Sequence, residues 1–236
     1  MADDTSVKTQ QLEELQEATN RLVRTVDGFQ DADWTGPSGL PGWTRAHVVA
    51  HLALNAEGLA AALTGIVQDE PTPMYASTED RDRDIEELAG AGAAELRERL
   101  LAGCTLYADA WSALPDDVAG TTFERTPGGR TVPAGATVGM RLREVEIHHA
   151  DLDAGYSRTD WPPRFCEVLL ASMTRREWPE PFEVAPTDLD GSWAYGDGDG
   201  PTVSGTAADL GWWLTGRGSG EGLTSDRGEL PRVAAW

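Results

Sequence analysis

Hydrophobic positions recur at helical spacing through the first two-thirds of the chain. From Gln11 to Phe29, the apolar side chains Leu12, Leu15, Leu22, Val23, Val26 and Phe29 fall on one face of a 3.6-residue repeat, which predicts an amphipathic helix. The Gly- and Pro-rich run GPSGLPGW breaks the pattern. Thr44 then offers a hydroxyl to the unpaired amides of a first turn. A second helix is expected from there to about Gln68, carrying Val48, Val49, Leu52, Leu59, Leu63 and Ile66. DEPTPMYASTEDRD reads as a connection. A third pattern spans Ile85 to Leu114, with Gly90 and Gly92 as candidate breaks and Pro115 as its stop. A polar segment holding TPGGRTVPAGAT precedes a fourth helix, expected from Thr137 through Met140, Val145 and His148 to about Leu152. Four helices with polar outer faces predict a bundle.

Beyond Tyr156 the texture changes. Trp161-Pro162-Pro163 marks a break, and a helix is expected around Phe165 to Trp178. Short β-like runs follow at Phe182 to Val184, Ser192 to Tyr195 and Thr202 to Ser204, separated by Pro, Asp and Gly. Thr206 with Asp209 three residues on opens a last helix holding Leu210, Trp212, Trp213 and Leu214. The expected fold class is therefore α+β, with a helical bundle over residues 1–157 and a small α+β unit over residues 158–236.

Composition narrows the possible functions. The 236 residues are 40% hydrophobic and 25% charged, values of a folded globular chain rather than a disordered one. The longest apolar stretch, Val48 to Val67, is interrupted by His51, Asn55 and Glu57, so no membrane span is expected. MADDTSVK has neither a basic start nor an apolar run, and a cytoplasmic protein is expected. Nineteen basic against forty acidic side chains leave a net charge of -21, which opposes binding to nucleic acid or to an anionic membrane. A small anionic ligand would need a local arginine. Cys104 and Cys166 form no C-x-x-C pair, so neither a disulfide framework nor a cysteine zinc site is expected.

The candidate chemistry lies in the histidines. Only four occur, in two clusters on separate helices: His47 and His51 in HVVAH, and His148 and His149 in REVEIHH. His47 and His51 are four apart on one helical face, and so are Glu144 and His148. One histidine of the first helix with the Glu144–His148 pair would give a metal ion three protein ligands and an open fourth position. Spacing alone leaves the choice between His47 and His51 open, and Glu and His four apart also form an ordinary helix-surface pair. H-E-x-x-H is absent, as is the Glu-x-x-His repeat of di-iron bundles. The run GRGSGEG from Gly216 follows a helix instead of opening one, so a helix end and turn explain it better than a phosphate loop. Arg217 within it could bind a carboxylate bidentately or simply sit at the helix C-terminus.

LPGWTRAHVVAHLALNAEGL, PTPMYAS, GRTVPA with MRLREVEIHHADL, and VSGTAADLGWWLTGRGSGEGLTS together resemble the mycothiol-dependent maleylpyruvate isomerases, within the wider DinB-like superfamily of metal-dependent thiol transferases. The resemblance implies a DinB-like four-helix bundle and a small C-terminal α+β domain. It implies zinc held by His51, Glu144 and His148, with His47 and His149 as neighbours, and Arg217 as the residue needed for activity. It further implies mycothiol as thiol cofactor, maleylpyruvate from gentisate-type aromatic degradation as substrate, and a monomer. Asp151, three residues past His148, could orient a ligand imidazole. Two rivals stand beside this reading: a mycothiol S-transferase acting on another electrophile, and a non-catalytic metal- or ligand-binding module.

Overall fold

The computed structural model describes residues 2–234, with side chains from residue 9 onward. Among the described residues it is an α+β protein of eight α-helices and two small sheets. It divides into two compact units, Met1–Gly155 and Tyr156–Trp236.

The first unit runs α1 (Ala2–Asp27), α2 (Asp31–Thr35), α3 (Arg45–Val67), α4 (Thr78–Ala89), α5 (Ala93–Ser112), a hairpin of β1 (Thr122–Glu124) and β2 (Thr131–Pro133), and α6 (Thr137–Asp151). The four long helices α1, α3, α5 and α6 make the bundle, and α3 is its axis, packing on α5, α4, α6 and α2. α3 is long and apolar enough to cross a membrane, but 67% of its apolar window is buried within the protein. Alanines at 46, 50, 53, 56, 60 and 62 keep it slim, so neighbours come close. Gly103 of α5 faces the Ala53 carbonyl, which a Cβ at that glycine would meet at 3.0 Å.

α6 carries buried polar groups on more than one face. Towards α1, Arg21 reaches Glu146 at 2.6 Å and Thr25 reaches His149 at 2.8 Å. Towards α3, the fully buried Arg141 donates to Asn55 Oδ1 at 2.8 Å and lies 3.5 Å from Cys104 Sγ. Polar pairing of this kind fixes how α6 is rotated, because a turned helix would leave these groups without partners.

Two stretches differ from the sequence expectation. The third helical pattern is broken at Gly90–Gly92 into α4 and α5, as its glycines suggest, but α4 begins at Thr78, inside the stretch expected to be a connection and seven residues before its first apolar residue. Ser77 caps it, accepting from the Asp80 amide at 2.9 Å. Charged Thr78–Asp84 has no apolar period to read; the cap and side-chain pairs such as Arg83 with Asp80 support it instead. The polar TPGGRTVPAGAT region forms the antiparallel hairpin, with Phe123 opposite Val132 and both buried. Three-residue strands are too short to display a period of two.

In the second unit, α7 (Pro163–Met173) ends before the expected Trp178, whose indole N–H donates to the Met173 carbonyl at 3.0 Å. A four-stranded sheet follows in the order β4-β3-β5-β6. Its strands are β3 (Phe182–Pro186), β4 (Trp193–Tyr195), β5 (Thr202–Gly205) and β6 (Thr224–Ser225). β3 pairs antiparallel with β4 and parallel with β5. α8 (Ala207–Leu214) lies between β5 and β6, and Thr206 caps it by accepting from the Asp209 amide at 3.1 Å. Phe182 and Tyr195 stack at 5.0 Å, with Trp178 and Trp213 edge-on to Phe182.

Candidate metal centre

Where α3 and α6 run side by side, His51, Glu144 and His148 converge. One ligand atom from each lies within 4.8 Å of the others. His51 Nε2 is 2.9 Å from Glu144 Oε2, and His148 Nε2 is 3.4 Å from the same oxygen. The two imidazoles meet edge to face with centroids 4.7 Å apart. The four-residue spacing of Glu144 and His148 places both on one face of α6, and the second turn of α3 supplies His51 opposite.

The surroundings prepare these groups to donate electron pairs. Burial lowers the pKa of His51 from 6.5 to about 4, outweighing the hydrogen bond that its ring donates to Glu144, which works to raise it. Glu144 lies well below the usual carboxylate range: burial opposes its charge, but the hydrogen bonds to His148 and His51 prevail. His148 is raised despite burial, because Asp151 and Glu144 both hydrogen-bond its ring. Asp151, itself 1% exposed, sits 2.8 Å from His148 Nδ1 and directs the other ring nitrogen towards the centre.

The other two histidines face elsewhere. His47 Nδ1 accepts from the Thr44 amide at 3.2 Å and lies 2.7 Å from the Thr44 hydroxyl, so it helps cap α3. Its Nε2 meets Glu86 at 3.2 Å. His149 points to α1 through Thr25. Trp43 covers both His47 and His51, with ring centroids at 6.2 and 5.8 Å. In the second unit, Arg217 lies just past α8, where Nη1 donates to the Thr215 carbonyl at 3.1 Å and the guanidinium covers the Trp212 ring. The surrounding glycines 216, 218, 220 and 222 have φ of 76°, 69°, 87° and 81°, a left-handed turn run rather than a helix N-terminus.

Arg81 and Tyr75 did not emerge from sequence patterns. Arg81 Nη2 is 3.3 Å from His51 Nδ1, and the Arg81 guanidinium lies over the Tyr75 ring at 5.8 Å. Tyr75 is pushed above the ordinary phenol value, first by burial and then by the nearby Glu144 charge. PTPMYAS carries Tyr75 without assigning it a role and no motif marks Arg81, because the contact depends on how the 74–81 segment folds back over α3.

Residues 15–153 match the family model described as the mycothiol maleylpyruvate isomerase N-terminal domain, and residues 160–235 match the MDMPI C-terminal domain. Two solved structures are similar over 97% of both chains with a TM-score of 0.87: the mycothiol-dependent maleylpyruvate isomerase at 31% identity, and a histidine-to-alanine variant of such an enzyme at 30%. No curated protein sequence gives a significant match.

Proposed function

Because the chain belongs to the mycothiol maleylpyruvate isomerase family, we propose that it converts maleylpyruvate to fumarylpyruvate with mycothiol as cofactor and zinc held by His51, Glu144 and His148. The observation carrying this reading is the convergence of three donor atoms within 4.8 Å in a buried niche of the bundle.

The donor set suits the ion. Two imidazoles and a carboxylate leave one position of a tetrahedral zinc open for a small ligand. Bonds of about 2.0–2.1 Å to such an ion set its ligand atoms roughly 3.4 Å apart, and the His148–Glu144 separation is 3.4 Å. When bound, zinc supplies a charge that keeps a thiol ionised near neutral pH.

The chain's own groups do the remaining work. His51 is neutral at pH 7 and has no ring charge to lose before donating. Asp151 accepts from His148 Nδ1, which keeps the His148 Nε2 lone pair on the metal side. Mycothiol, when bound, would supply a thiolate able to add reversibly to the cis double bond, placing the electron pair on the conjugated carbonyl as an enolate while the carbon–carbon bond is single and free to rotate, so that cofactor and proton count would be unchanged at the end. A fixed guanidinium stabilises the enolate or holds a substrate carboxylate, and Arg217 is assigned that role from family resemblance. With a net charge of -21, an anionic substrate makes such a cation more necessary. The same acidity keeps nucleic acid and anionic membranes out of the reading, which takes the enzyme as a cytoplasmic monomer.

The test is isomerisation of maleylpyruvate by pure protein with and without mycothiol, alongside metal analysis. Fumarylpyruvate formed only with the thiol, by protein holding about one zinc per chain, is the expected outcome. Arg217→Ala is expected to keep its zinc and lose most turnover. Conjugation of other electrophiles without isomerisation would favour an S-transferase.

A further inference from the structure

A cavity of about 280 Å³ runs between α3 and the segment entering α4, lined by Leu54, Gly58, Met74, Tyr75 and Arg81 among others. Arg81 connects this cavity to the triad, since its Nη2 lies 3.3 Å from His51 Nδ1. Among the described residues lining the cavity it is the only cation. Two carboxylates, Glu57 and Asp84, also line the cavity, the first held in a bidentate pair and the second in a solvent-exposed one. Glu57 holds Arg99 through two bonds of 2.7 and 2.6 Å, and Asp84 takes Arg83 at 2.9 Å.

Arg81 bonds to His51, Asp82 and the Tyr75 hydroxyl, but one of its donors is left over. Its Nη1 pairs with Asp82 at 2.7 Å, but that carboxylate is 60% exposed and solvent weakens the pair. Its Nε is buried without a hydrogen-bond partner. Nε and Nη2 form one side of the guanidinium fork; Nη2 carries two N–H groups, of which one is spent on His51, so the other and the Nε–H are what a carboxylate would take. A buried N–H without an acceptor costs stability that an incoming oxygen would relieve. Tyr75 holds the guanidinium in place by its ring face at 5.8 Å, and Arg125 covers the same ring at 5.4 Å. The Tyr75 amide is tied to the Arg125 carbonyl at 2.9 Å, so the two arginines stand in fixed relation to the ring. Two guanidiniums thus share the Tyr75 ring, and that of Arg81 reaches the candidate ligand His51.

We infer that Arg81, steadied by Tyr75, is the carboxylate-binding residue of this cavity, holding one carboxylate of a short cis-unsaturated dicarboxylic acid next to the His51–Glu144–His148 centre. This rests on the proposed isomerase reading for the substrate class but not for the binding itself.

The experiment is calorimetric titration of maleate into full-length protein supplemented with zinc, for wild type, Arg81→Gln and Arg81→Lys, with bound metal measured in each. Wild type is expected to bind maleate, Arg81→Gln to bind it at least about tenfold more weakly with metal content unchanged, and Arg81→Lys to fall between. The KM for maleylpyruvate should rise in Arg81→Gln more than kcat falls. Failure of wild type to bind maleate, or equal affinity in Arg81→Gln, overturns the assignment. So does loss of zinc in step with loss of maleate in both variants, because Arg81 would then act only by holding His51. Absence of turnover by wild type would sink the isomerase reading separately, while the maleate titration alone decides the subsite.

Discussion

His51 and His148 sit in one niche yet are displaced in opposite directions: burial prevails at His51 and lowers it, whereas at His148 the hydrogen bonds to Asp151 and Glu144 outweigh burial, with the contacts of the second ring nitrogens adding to the contrast. His148 Nδ1 meets the buried Asp151 carboxylate at 2.8 Å, whereas His51 Nδ1 meets the Arg81 guanidinium at 3.3 Å. An anion favours the imidazolium and a cation opposes it. In metal-free protein, His51 protonates at about 4 when folded and near 6.5 when unfolded, so the unfolded chain binds more protons in between and stability falls as pH drops through that window. His148 is raised, so its contribution is full below the ordinary imidazole value and is lost as pH climbs through its folded value. Zinc needs both rings neutral. At pH 6 only His148 has a proton to give up, and calorimetry in buffers of different ionisation enthalpy should report about one proton released per zinc rather than two. Asp151→Asn should weaken zinc by about 10- to 100-fold, since the ring loses its orienting anion. Unchanged affinity would remove Asp151 from the centre.

At the scale of elements, the legible parts of the chain were those whose physics is local. Thr44, Thr206 and the Glu144–His148 spacing announced two helix starts and two of the three side chains of the candidate metal centre, because caps and same-face neighbours act within one or two turns. Thr78–Asp84 hid a helix because charge pairs and a serine cap, not an apolar stripe, support it. His51 could not be separated from His47 by spacing, as both share a face of α3; what separates them is that His47 turns back to cap its own helix through Thr44. Arg81 was invisible because its position depends on the 74–75 segment being pressed onto α3 at Gly58. That close approach can be tested. Glycine inside a helix normally costs about 1 kcal/mol relative to alanine. At Gly58, however, a Cβ would stand 2.6 Å from the Met74 carbonyl oxygen, a backbone atom tethered to β1 through the Met74 amide. Overpacking of this kind costs about 1–3 kcal/mol, so Gly58→Ala should lower stability in urea unfolding. Gly139 in α6 has open space around its would-be Cβ. Gly139→Ala should be neutral or gain up to about 1 kcal/mol. A stabilised Gly58→Ala would mean that the segment carrying Tyr75 yields without cost.

For the whole molecule, the long-range field and the local field act against each other. A net charge of -21 repels a dicarboxylate at every approach beyond the site, while Arg81, in the inferred subsite, and any other arginine that meets the substrate act only at short range. Salt distinguishes the two. The screening length shortens from about 30 Å at 0.01 M ionic strength to about 10 Å at 0.1 M, which removes the repulsion summed over the surface but leaves a partly buried ion pair with a bound substrate nearly intact. Raising sodium chloride over that range should therefore increase kcat/KM for maleylpyruvate several-fold while kcat stays level, because capture is helped and the bound complex is not. Steering by a positive funnel predicts the reverse slope. A decline of kcat/KM with salt would show that the arginines reach outward past the acidic surface, and the repulsive picture of substrate entry would have to be abandoned.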